Sequence, residues 1–353
     1  MVAVSLMLAV LFGWPDPGAV GGAPVASARQ RTTSSAMRNG PITLITRSHG
    51  IWSIDSTGSA HQIFSCPRCA HLVSFAWAPD GKRLVFDVTT VTMANSYNGI
   101  HVITPSRGTD HHLCRRGVRF CPEGLSFDWS PDGKRIAYVV GAWPTEVGDI
   151  YVMNPDGTHR GLLRTGTGGH DSSPSWSPDG RRLAFATTVG DHLSVSTINR
   201  DGSDRRLVFH AVLPRGSAWP NSSLWPDWSP DGTKIALKWG CGIKLISPQG
   251  RDVTPQSPKA SGRCVGVPGL PVWSPDGHKI AMAVRTTGIY VMDADGSHLE
   301  QISTAGIPRD ADGLAEDGRG LFGYARPSWQ PLPSRRSAPH LKRRNFGGTA
   351  HKR

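Results

Sequence analysis

The residues best placed to do chemistry in this 353-residue chain are His71, Glu123, His170, Asp171, Asn221, Tyr324 and Arg326. Imidazole, carboxylate and guanidinium groups can ligate a metal, move a proton or grip a polar partner. No two of the seven fall at the spacing of a known catalytic motif; the adjacent His170-Asp171 reads as a ligand pair at the channel mouth or as a solvated polar loop. There is no Gly-x-Ser-x-Gly elbow, no Walker-type phosphate loop, no His-Glu-x-x-His and no dinucleotide fingerprint. The expectation is therefore no catalytic residue, no metal and no cofactor, with the seven residues acting in binding.

Three further groups have more than one reading. Asp310-Ala311-Asp312-Gly313, with Glu316 and Asp317, is acidic like a calcium loop but lacks the ligand spacing of an EF-hand. His111-His112 could contribute to a metal site or lie exposed at a strand end. Six cysteines suggest disulfides in an exported chain. The economical pairing is local: Cys66–Cys69, Cys114–Cys121 and Cys241–Cys264. Swapped partners, a redox pair at Cys66 and Cys69, and zinc bound by the first four cysteines are the alternatives.

What positions these residues is a repeat. Trp-x-Pro-Asp-Gly occurs at Trp77, Trp129, Trp176, Trp228 and Trp273, and Trp329-Gln330-Pro331 keeps the tryptophan without the turn. The intervals of 52, 47, 52, 45 and 56 residues signal a propeller, solenoid or array. Each Asp-Gly leads to a basic residue and an apolar run, such as Arg135-Ile136-Ala137-Tyr138. Ten to twenty residues later comes an alternating stretch such as Asp149-Ile150-Tyr151-Val152-Met153, then a second glycine turn and a short fourth strand.

Each repeat thus reads as a four-stranded antiparallel meander, A-B-C-D, with A ending at the tryptophan. Radial repetition of such units makes a β-propeller. Residues 42–64 supply B, C and D without an A, while Ala325 to Trp329 supply an A alone. The two pieces complete one blade, so the prediction is an all-β, closed, six-bladed β-propeller over residues 42–331. The A–B and C–D turns then share one rim, and the long unlike B–C and D–A connections share the other. Residues just before strand A lie nearest the central channel, which is why the seven candidates are chosen. All six cysteines are expected in connections on the long-loop rim. The Pro-Asp-Gly aspartates are read as turn formers.

The pattern Trp-Ser-Pro-Asp-Gly, Ile-Ala-Phe, Ile-Tyr-Val-Met-Asn-x-Asp-Gly resembles the WD-like propeller repeat of the TolB family, over roughly residues 42–331. Pro327-Ser328-Trp329-Gln330-Pro331 is similar to that family's closing strand. The resemblance implies the same fold. The α/β domain that precedes the TolB propeller has no counterpart in the short segment ahead of residue 42, so the family's envelope-complex role does not carry over directly.

Residues 2–14 form an apolar stretch short of a membrane span, and Ala26-Ser27-Ala28 is a small-x-small cleavage site. Residues 1–28 are therefore read as a signal peptide and 29–41 as a linker. The net charge of +12 is uneven: residues 334–353 carry +7 and residues 1–38 carry +2, which leaves +3 for residues 39–333. Nucleic-acid binders concentrate basic charge on a folded face, so no nucleic-acid partner is expected, and 332–353 reads as a basic disordered tail. The functional expectation is a monomeric secreted, periplasmic or envelope-associated protein that binds a protein or glycan through the long-loop rim. The alternative is a channel-centred, metal-assisted hydrolase, lactonase or lyase.

Overall fold

The computed structural model describes residues 38–46, 50–65, 69–90, 99–115, 124–140, 148–163, 165, 168–213, 224–239, 242–255, 270–284, 288–302 and 327–332. The first strands are β1 (Arg38–Thr46), β2 (Gly50–Ile54) and β3 (Ala60–Ser65). A second group is β4 (Cys69–Trp77), β5 (Leu84–Thr90), β6 (Gly99–Thr104) and β7 (Thr109–Arg115). A third is β8 (Gly124–Trp129), β9 (Ile136–Val140), β10 (Asp149–Met153) and β11 (Gly161–Leu162). The fourth comprises β12 (His170–Trp176), β13 (Arg182–Val189), β14 (His192–Asn199) and β15 (Arg206–Val212). Then come β16 (Asp227–Trp228), β17 (Ile235–Trp239) and β18 (Gly242–Ile246). The last are β19 (Val272–Trp273), β20 (Lys279–Val284), β21 (Gly288–Asp293), β22 (Glu300–Ile302) and β23 (Ser328–Leu332).

These strands form six sheets, each an antiparallel meander in the order A-B-C-D. The first blade is β23-β1-β2-β3, with Ile42 opposite Trp329. Chain end thus completes chain beginning, as the repeat phase predicts. In the fifth blade, β16-β17-β18, strand D is reduced to a single bridge between Ile246 and Asp252 among the described residues. The inner strands follow one another as β4, β8, β12, β16, β19 and β23, and β23 meets β4 again. The ring is closed.

The repeat motif explains the short turns. In the third blade Gly133 takes φ 66° and donates its N–H to the Ser130 carbonyl at 2.8 Å. Asp132 accepts the Ser130 hydroxyl at 2.6 Å and the Lys134 N–H at 3.0 Å. A positive φ suits glycine because it has no Cβ. The core lies between blades. Val85, Ile100 and Val102 of the second blade pack on Phe127, Trp129, Ile136 and Tyr138 of the third. Alternation along each strand sends one set of side chains to each neighbouring blade, so both faces are apolar and each fully buried Leu or Phe contributes about 1.5–3 kcal/mol.

Candidate functional site

Register places the histidine candidates. In the second blade Trp77 lies opposite Leu84 and His71 opposite Thr89. In the fourth, Trp176 lies opposite Leu183 and His170 opposite Thr188. The two histidines therefore hold the same position on their inner strands, towards the long-loop rim. In the third blade Gly124 lies opposite Val140, as Leu72 does opposite Val88 and Asp171 opposite Thr187. Glu123, the residue before Gly124 in sequence, lies outside the described residues. So do Asn221, Tyr324, Arg326, Cys66, Cys121, Cys241, Cys264 and the acidic segment 310–317.

His170 and Asp171 have different roles. The Asp171 side chain is buried and its carboxylate accepts the hydroxyls of Thr187, at 2.7 Å, and of Thr165. Its main-chain N–H donates to the Gly148 carbonyl at 2.9 Å, joining the third blade to the fourth. A Cβ on Gly148 would stand 2.4 Å from the Asp171 carbonyl oxygen, so only glycine fits this approach. The His170 ring lies over Gly148 and keeps partial exposure. Asp171 is thus a fastener of the rim, whereas His170 keeps a partly exposed ring. Each described inner strand of the second to fourth blades also bulges at one level, in the fourth between Ser172 and Ser175 with Ser173 at φ 53°.

A set of contacts around the axis joins successive inner strands. The Asp128 carboxylate accepts the main-chain N–H of Trp176 at 2.6 Å, and that of Asp227 accepts the Trp273 N–H at 2.6 Å. Between them the Ser175 hydroxyl accepts the Trp228 N–H at 3.0 Å. Inner strands leave one edge without a ladder partner; here the residue just before one tryptophan satisfies the tryptophan N–H of the next blade. Sequence reasoning passed over these residues, although a polar residue directly before the tryptophan was the signal.

Other buried polar groups sit within the blades. Asp87 and Lys238 occupy the same strand-B position in opposite blades, each three residues beyond the residue that faces the tryptophan. Burial pushes the Lys238 ammonium down to about 8. His101 is fully buried, its Nδ1 lies 2.9 Å from the Asp110 carboxylate, and its ring stacks on His112 at 4.3 Å. His111 is exposed, whereas His112 is half-buried and parallel to His101 within 4°. Rings lying face to face at 4.3 Å do not converge their in-plane nitrogen lone pairs on one ion. Among the described residues no three His, Cys, Asp or Glu side chains form a metal-binding group.

The cysteine placement needs one correction. Cys69 and Cys114 lie within strands, not in connections, since their main chains join the ladders opposite Thr90 and Ile100. On the turn rim, Asp55, Asp156, Asp201 and Asp295 accept the hydroxyls of Thr57, Thr158, Ser203 and Ser297, each at 2.6 Å. These bonds hold all four carboxyls below the usual carboxylate range.

The architecture has close structural counterparts. A propeller in a nidogen/laminin complex superposes with a TM-score of 0.56 at 14% identity, covering 74% of this chain and 93% of that one. TolB from Acinetobacter baumannii superposes at 0.55 with 19% identity, covering 82% of this chain and 66% of the TolB chain. The fold is a TolB-like six-bladed propeller. A gluconolactonase from Xanthomonas campestris superposes on this chain at 0.50 with 14% identity, covering 72% of this chain and 85% of that enzyme. No protein-family model and no curated protein matches the chain. Among the described residues of the TolB-like propeller, no helix is long and apolar enough to cross a membrane.

Proposed function

We propose that this chain is an exported, envelope-associated recognition protein that binds a protein or glycan partner through its long-loop rim. The observation carrying this reading is the contrast between the rims. On the turn rim the aspartates are closed within their own hydrogen-bonded turns. On the other rim His71 and His170 share one level, and the acid beside His170 stiffens the scaffold beneath it. Rigid scaffolds carrying unlike loops are where binding sites concentrate. Glu123, Asn221, Tyr324 and Arg326 extend the proposed surface, and the three cysteine pairs would brace its loops.

The test is affinity capture from cell-envelope extract on the full chain, followed by solution binding of each purified captured component. A saturable complex weakened by His170→Ala supports the reading; no saturable complex, or one indifferent to every long-loop substitution, rejects it. The shared level of His71 and His170 also favours a second reading as a metal-assisted hydrolase, lactonase or lyase. Metal-dependent turnover of lactones or glycans, abolished by His71→Ala and by His170→Ala, would establish that reading instead.

A further inference from the structure

The fourth blade carries a second histidine pair, away from the inner strands. Strand β13 ends at Val189, Gly190 turns the chain at φ 59°, and β14 begins at His192. The B–C hairpin closes with Val189 opposite His192, and β15 lies alongside with Val212 opposite His192 and His210 opposite Ser194. His192 and His210 are diagonal neighbours on one face, within reach of each other. Nδ1 of His192 lies 3.2 Å from Nε2 of His210. The other nitrogen of His192, Nε2, lies 3.4 Å from the Asp191 carboxylate. Both rings are exposed.

We infer that His192 and His210 form a divalent transition-metal site, for an ion of the zinc class, on the long-loop rim of the fourth blade. Zinc–imidazole bonds are about 2.0–2.1 Å long. Two nitrogens 3.2 Å apart that share one ion at that length subtend an angle close to tetrahedral. Imidazole suits zinc, copper and nickel, and water completes the shell of an open site. Asp191 stands beside the pair, its carboxylate 3.4 Å from Nε2 of His192, where its negative charge favours a bound cation; with the proton of His192 on Nε2, the Nδ1 lone pair faces His210. In the metal-free pair one facing nitrogen carries a proton for the ring-to-ring hydrogen bond. In the metal form His210 carries that proton on its own Nδ1, so the two neutral rings bind without net proton release.

The scaffold is fixed independently of the metal. The Leu213 N–H donates to the Asp191 carbonyl at 2.9 Å, tying the hairpin tip to the end of β15. The pairing shift between Val195 and Ser196 sets which β15 residue meets β14 here, and so brings His210 to Ser194. The inference does not depend on the partner-binding reading.

The test is titration of the full chain with Zn²⁺ alone at pH 7.5, comparing wild type with His192→Ala, His192→Gln, His210→Ala and Asp191→Asn. Melting in EDTA checks that all are folded. The expected result is one Zn²⁺ equivalent in the wild type that is lost, or weakened about tenfold or more, in each histidine variant and weakened severalfold in Asp191→Asn. Zinc should raise the melting temperature of wild type beyond that of the histidine variants. Unchanged stoichiometry and affinity in folded histidine variants, or no zinc bound by wild type, overturns the inference.

Discussion

The carboxylate of Asp128, on the inner strand of the third blade, accepts the main-chain N–H of Trp176, on the inner strand of the fourth, at 2.6 Å. Asp227 repeats the relationship with Trp273 at the same distance. Each bond ties two blades that share no ladder, and each satisfies a donor on the open edge of an inner strand. Asp128→Ala and Asp227→Ala should each destabilise the protein by about 1.5–3 kcal/mol, the usual effect of losing a charged acceptor and stranding its donor. Asp128→Asn keeps an acceptor oxygen and should cost less. Chemical denaturation of the three variants measures both effects.

Asp171 and His170 are neighbours in sequence with opposite expected behaviour. Asp171→Ala leaves the Thr165 and Thr187 hydroxyls without their buried acceptor and should cost about 2–3 kcal/mol or more. His170→Ala removes a partly exposed ring and should change stability little. Equal melting temperatures for the two variants would contradict this division of roles.

Lys238 gives a pH signature. Its folded value of about 8 lies below the ordinary 10.5, because burial penalises the charged form. The unfolded chain therefore holds more protons between those values, and stability rises with pH through that window. At pH 7 the buried charge costs on the order of 3 kcal/mol. Lys238→Met should accordingly be more stable than wild type at pH 7, with the gap closing towards pH 10.5. Urea denaturation at pH 7, 9 and 10.5 reads it directly.

Much of the ring was legible in the sequence because one turn chemistry recurs at five of the six blades. Trp-x-Pro-Asp-Gly marks the end of strand A and the start of strand B, and the lone Trp329 marks the closing strand. Details set by register were not legible. The bulge that drops Ser173 into a positive φ leaves no compositional trace. Nor does the pairing shift near Val195 that brings His210 to His192 across eighteen residues. Asp171 reads as a binding residue because its acceptor role depends on Thr187, sixteen residues on and across a hairpin. Cys69 and Cys114 read as loop residues because strand ends extend as far as pairing allows, not as far as alternation does.

Site-specific photocrosslinking in the intact envelope tests the central claim most directly. A photoreactive residue replaces His170, or Tyr324 of the proposed binding surface, and Asp156 or Asp201 on the turn rim. The account predicts partner adducts from the first pair and none from the second, with the wild-type melting temperature retained at His170. Adducts arising from Asp156 and Asp201, with none from His170 and Tyr324, would contradict it.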